Sequence, residues 1–135
     1  MQVNEDDEKF SEAELEQLAR RWLSDIRHNL GGASDSGELV VSMNFDASPE
    51  IQWRFILIAV SQSQSDDELS HIAAGPIEQL LSWHGESYID VIESEVASNS
   101  KFARALTGVW QHMMKDEVWS RVQWLQKGVS QTLQQ

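Results

Sequence analysis

Apolar side chains recur at helical spacing along most of the chain, and polar punctuation divides that pattern into segments. Leu15, Leu18, Ala19, Trp22, Leu23, Ile26 and Leu30 form one stripe, as a core-facing helix would. Ser11-Glu12-Ala13-Glu14 precedes it as a capping box, in which the Ser11 hydroxyl accepts from the backbone N–H of Glu14. Gly31-Gly32 is the expected stop, because glycine enters the left-handed cap conformation without steric cost. A second start stands at Ser48-Pro49-Glu50: Ser caps, Pro takes the first helical position, and Glu complements the dipole. The run over 49–61 is apolar on nearly every side, with Ile51, Trp53, Phe55, Ile56, Leu57, Ile58 and Val60. A helix of that kind belongs at the centre of a core.

Residues 33–46 read as a connector. Within them 38–43 (ELVVSM) has strand-like composition, yet no second strand is in sight to take its backbone hydrogen bonds. Loop is the expectation, with a helical turn as the alternative. Beyond the polar link 61–65, Ser65 or Asp66 caps a helix whose first turn holds Asp66, Asp67 and Glu68. Leu69, Ile72, Ala73, Ile77, Leu80 and Leu81 carry its stripe onward. Pro76 lacks a donor and its ring crowds the turn at Ile72, so a kink or a break is expected there. Ala73-Ala74-Gly75 offers a small-residue surface for close helix approach. Gly85 is expected to close this segment, and Glu86-Ser87 to open another with Ile89, Ile92 and Val96. Ser100 then caps a helix with Phe102, Leu106, Val109 and Trp110 on one face. Asp116 caps a last one with Val118, Trp119, Val122 and Leu125, ended by Gly128.

The fold class is therefore all-α: a compact bundle of six to seven short helices, suggesting stacked antiparallel pairs. Residues 11–128 are expected to form a single helical domain, between a disordered acidic N-terminus at 1–10 and a frayed tail at 129–135.

Composition narrows the chemistry. The 135 residues include no Cys, which removes disulfides, thiolate metal sites and cysteine nucleophiles. No segment approaches the ~18 apolar residues of a membrane helix, and the acidic start is unlike a signal peptide; a cytoplasmic protein without membrane contact is expected. The net charge of −12 is unevenly spread: residues 61–99 carry eight acids and no Lys or Arg, whereas 100–135 carry five bases against two acids. That field repels a phosphate backbone, so nucleic acid is not the expected partner; a basic protein is.

Several stretches together resemble a known family. IAAGPIEQLL, then HG, IDVIE, KFARALTGVW and a final VW-x-RV, with IQWRFILIAV upstream, resemble an uncharacterised bacterial domain of unknown function over about residues 12–125. The resemblance implies a small bacterial helical protein and brings no activity, cofactor or catalytic residue with it.

The residues must then speak for themselves. His28, His71, His84 and His112 lie in different predicted helices, and none forms a paired ligand motif. Glu68 and His71 have the spacing of half a helical di-iron site, but no second copy exists. No metal or cofactor is expected. Nucleophile elbows and phosphate loops are missing too. The carboxylate pairs Asp90 with Glu93 and Glu78 with Glu86 are what high acid density generates by chance. His84-Gly85 reads first as helix-end punctuation, the imidazole satisfying terminal carbonyls. Trp22, Trp53 and Trp110 sit on apolar faces and are expected in the core, whereas Trp83, Trp119 and Trp124 stand near helix ends or polar neighbours. Trp124 is the candidate for a surface patch, because Val118, Val122 and Leu125 define the buried side.

A non-catalytic interaction module follows, an acidic inhibitor or immunity-type protein for a basic partner. Its candidate contact residues are Asp66, Asp67, Glu68, Trp83, His84, Glu86, Asp90, Glu93 and Trp124. The alternatives are a self-associating scaffold built on exposed Trp83 or Trp124, and an enzyme using scattered carboxylates and His84. A weaker option is nucleic-acid binding by Lys101, Arg104, Lys115, Arg121 and Lys127, were they to share a face.

Overall fold

The computed structural model describes residues 10–29 and 34–133, and among them every regular element is helical. The all-α expectation is met. Helix α1, Glu12–Arg27, begins as its capping box dictates, with the Ser11 hydroxyl accepting from Glu14 N–H at 3.2 Å. It buries Leu15, Leu18, Ala19, Trp22, Leu23 and Ile26. Its end comes earlier than expected: His28 caps it and Asn29 takes a left-handed φ of 59°, which a short polar side chain tolerates. Leu30 and Gly31-Gly32 lie outside the described residues.

The expected loop at 38–43 is instead part of a helix, α2, Asp35–Asp46. Ser34 starts it by accepting from Gly37 N–H at 3.0 Å, and Asp35 and Glu38 complement the first turn. The stripe went unseen because its inner face mixes Ser36, Gly37 and Asn44 with Val40 and Met43, while Leu39, Val41 and Phe45 point outward.

Helix α3, Pro49–Gln62, starts on the Ser48 cap with Pro49 in its first turn and forms the hub. Across it lies α1, where the Trp22 and Phe55 rings sit 5.9 Å apart. Trp53 meets Phe102 edge-on at 5.4 Å. Helix α4, Asp66–Ile72, is capped by Ser65 and passes into a π-helical turn, Ala73–Ile77, and then into α5, Glu78–Ser98. Pro76 thus neither breaks the chain nor ends a helix; the wider turn absorbs the missing donor. Gly85 does not close the segment either. The bend falls on His84 (φ −135°, ψ 21°), and α5 continues through it.

Helix α6, Ser100–Leu106, is capped by Asn99, whose Oδ1 accepts from Phe102 N–H, one residue before the expected cap. Helix α7, Asp116–Lys127, has Lys115 in the cap position without a side-chain bond, and Asp116 sits inside the first turn. The tail is not free as far as Leu133. That side chain is buried, and its N–H donates to Thr107 Oγ1 at 2.8 Å. It closes over Gly108, where an added Cβ would lie 2.9 Å from Leu133 Cδ1 and 3.2 Å from the Ala73 Cβ. Of the small-residue surface, only Ala73 is used in this way; Ala74 is exposed. Residues 1–9 lie outside the described residues, and Phe10 packs partly against the core.

Candidate functional site

The acid-rich middle of the chain meets bases supplied by other elements. Arg104 of α6 grips both carboxylate oxygens of Asp66. Lys115 Nζ lies 2.6 Å from Glu86, and Arg121 of α7 spans Asp90 at 2.8 Å and Glu93 at 2.6 Å. The last pair is thus an arginine clasp joining α7 to α5, and no acid–base dyad. Lys115 and Arg121 are raised in pKa, chiefly by their hydrogen bonds to Glu86 and to Asp90. Exposed pairs of this kind contribute little to stability, so their main effect is to cancel field.

Glu68 is buried and takes no part in an outer acidic surface. Burial works to raise its pKa, but hydrogen bonds from Arg27, Ser65 and the Gln64 N–H outweigh that and hold it below the ordinary carboxylate range. The Arg27 contact is 2.8 Å. Glu68 therefore ties α1 to the start of α4. Asp67 stays exposed, 3.8 Å from His71 Nδ1. Among the described residues no three His, Cys, Asp or Glu gather as metal ligands, and no helix is long and apolar enough to cross a membrane.

The aromatic expectations divide. Trp22 is buried and Trp53 half-buried, but Trp110 is 63 % exposed. It left the core because α6 stops at Leu106; without a continuing helix, Val109 turns in and Trp110 turns out. Residues beyond it then run along the first turns of α5. Trp110 N–H donates to Glu78 Oε2 at 3.2 Å, and Met113 N–H to Ser82 Oγ at 3.4 Å. Next to Ser82 stands Trp83, 55 % exposed, its indole N–H fixed on Gln79 Oε1 at 2.9 Å. Met113 is 61 % exposed. Glu78, half-buried under this segment, is raised in pKa by burial, against the opposing Trp110 N–H and His112.

Beside Trp83 the bend at His84 opens a pocket of about 130 Å³, walled by Trp83, His84, Gly85 and Glu86 on α5 and by Lys115 and Val118 opposite. Gly85 fits there only as glycine, since a Cβ would stand 2.8 Å from Val118 Cγ1. The cavity is smaller than the ~300 Å³ and more of a small-molecule site.

The nine candidate residues thus do not converge. Trp83, His84 and Glu86 share one pocket; Asp90 and Glu93 lie further along α5 on Arg121; Asp66 is on Arg104; Glu68 is inside. Trp124, 68 % exposed, borders a separate depression with Val96, Leu125 and Lys127. The five C-terminal bases do not share a face as free cations, because Arg104, Lys115 and Arg121 are each engaged by acids. Trp110, Met113, Glu78 and Lys115 were not among these nine, Glu78 having been read as half of a chance carboxylate pair and Lys115 as one of five C-terminal bases. The signal for the first two was Gly108, a helix stop just before them.

The chain matches the model of a family of unknown function, DUF6869, over residues 28–129. It belongs to that family. The match begins just past α1, so residues 12–27 of the resemblance fall outside it, although α1 packs on α3. The Trp83–Met113 edge, the His84 bend and the Arg121 clasp all lie within the DUF6869 region. No curated protein and no solved structure matches the chain.

Proposed function

We propose that this domain is a non-catalytic protein-interaction module whose working surface is the edge bearing Trp83, Trp110 and Met113. One observation carries the reading. Three large apolar side chains, each more than half exposed, are held where residues 110–113 run along α5. Trp and Met are the residue types enriched at interface cores, and exposing them costs solvation unless something covers them. Around them Glu78 and Asp116 have no Lys or Arg ion pair within the described residues, so a basic partner complements the edge. An inhibitor or immunity-type protein acting on a basic target is one form such a module takes.

The test is affinity capture from cells of the native host with wild-type and Trp83→Ala/Trp110→Ala protein, at low and high salt. A protein retained by wild type, weakened by salt and lost with the double substitution is expected. An identical set of captured proteins on both baits overturns the reading. Exposed Trp124 beside Val96 and Leu125 supports self-association as a second reading. Sedimentation at increasing concentration decides it, a strict monomer removing it.

A further inference from the structure

The pocket at the His84 bend holds a cation already. Lys115 lines it, its Nζ 2.6 Å from Glu86 Oε1, and both side chains are about two-thirds exposed, at 66 % and 68 %. We infer that this pocket is a receptor for one guanidinium or ammonium side chain of a protein partner, and that Lys115 is a stand-in which the partner's side chain displaces. The inference rests on the reading of the neighbouring edge as a partner surface and specifies how that surface recognises a base.

Four features support it. The volume, about 130 Å³, suits the head of a single side chain and excludes a cofactor-sized ligand. Glu86, Ser82 and Ser87 are among the residues that line the pocket. Trp83 lines the same cavity, and indole is the best aromatic surface for a cation. Finally, Trp83 is pinned by its bond to Gln79, so little ordering remains to be done on binding. Of the other ionisable groups at the site, His84 lines the wall and Glu117 acts on Lys115 from α7. An exposed lysine–carboxylate pair is weak, which is what allows exchange: the stand-in holds Glu86 with little energy and leaves when a better-placed cation arrives with an apolar neighbour for Trp83.

The experiment uses the full chain and a defined probe: a short peptide of alternating Leu and Arg, titrated while the Trp83 indole N–H and the Gly85 amide are followed by NMR. The control is the same peptide with each Arg replaced by citrulline, which keeps the shape and removes the charge. Expected are shifts at Trp83 and Gly85 with the Arg peptide alone, about three- to fivefold tighter binding for Lys115→Met, and a loss of similar size for Glu86→Gln. Both positions are exposed, and thermal unfolding verifies that the variants fold. Binding unchanged or weakened by Lys115→Met, or equal binding of the citrulline peptide, overturns the inference. Failure here leaves the capture experiment to judge the edge by itself. If Trp83→Ala/Trp110→Ala abolishes capture while Glu86→Gln and Lys115→Met do not alter it, the edge stands and the pocket falls.

Discussion

Glu78 is the residue on which the exposed edge hangs. Its carboxylate accepts the Trp110 N–H while burial raises its pKa, so the folded state holds the Glu78 proton more tightly than the unfolded chain does. Stability from this group is complete below the unfolded pKa and is lost as pH rises through the raised folded value. At neutral pH the buried charge is therefore a cost. Glu78→Gln keeps an oxygen for Trp110 N–H and removes the charge. Its melting temperature at pH 7 is expected to exceed wild type by about 1–2 °C, with the difference closing below about pH 4. Calorimetry at the two pH values checks this; a lower melting point at pH 7 would contradict it. Residue identity alone could not separate Glu78 from Glu68 or Glu86. One is half-buried under a loop, one lies inside against Arg27, and one stands outside on Lys115. Long-range contacts made that difference.

At the scale of elements, side-chain caps were readable where a Ser precedes an acidic or proline start, as at Ser11 and Ser48, and the structure chose Ser65 over Asp66 at the third. These are local hydrogen bonds between residues three apart, and local chemistry is what a sequence records most directly. Where the end of an element depends on a neighbour, the pattern misled. Gly85 looked like a stop, yet it is buried inside α5 because α7 presses Val118 against it. Gly85→Ala gains helix propensity of about 1 kcal/mol but drives a Cβ into a stiff β-branched side chain, for a net loss of about 1–2 kcal/mol. Urea titration measures it, and adding Val118→Ala should recover most of the loss attributable to the clash. If Gly85→Ala alone is neutral, α7 is not seated on α5 as described. The expected loop at 38–43 failed for a related reason. Ser36 is acceptable on a buried face only because of what surrounds it, its hydroxyl donating to Asp25 of α1.

For the whole molecule, the return of Leu133 onto Gly108 is the feature least visible in the chain. Leu133 fills a seat made by Gly108 and Ala73, although the residues around it read as a fraying, Gln-rich tail. Removing residues after Gly128 uncovers that seat and should cost about 2 kcal/mol, seen as a melting point lower by about 7 °C. An unchanged melting point would show that the tail only rests on the surface. The charge map follows the same logic. Eight acids in 61–99 and five bases in 100–135 looked like a surface awaiting a basic partner, but three of those bases fold back onto four of those acids. What the amino-acid sequence by itself determined was the all-helical class, three helix starts and most of the core positions, because these follow from propensity, capping and periodicity within a few residues. Tertiary structure decided which acids remain unpaired, that Trp110 and Met113 face outward beside Trp83, and that α5 bends at His84 to form a pocket. Each of those outcomes depends on segments about thirty residues apart meeting in space, and no local rule encodes which of them meet.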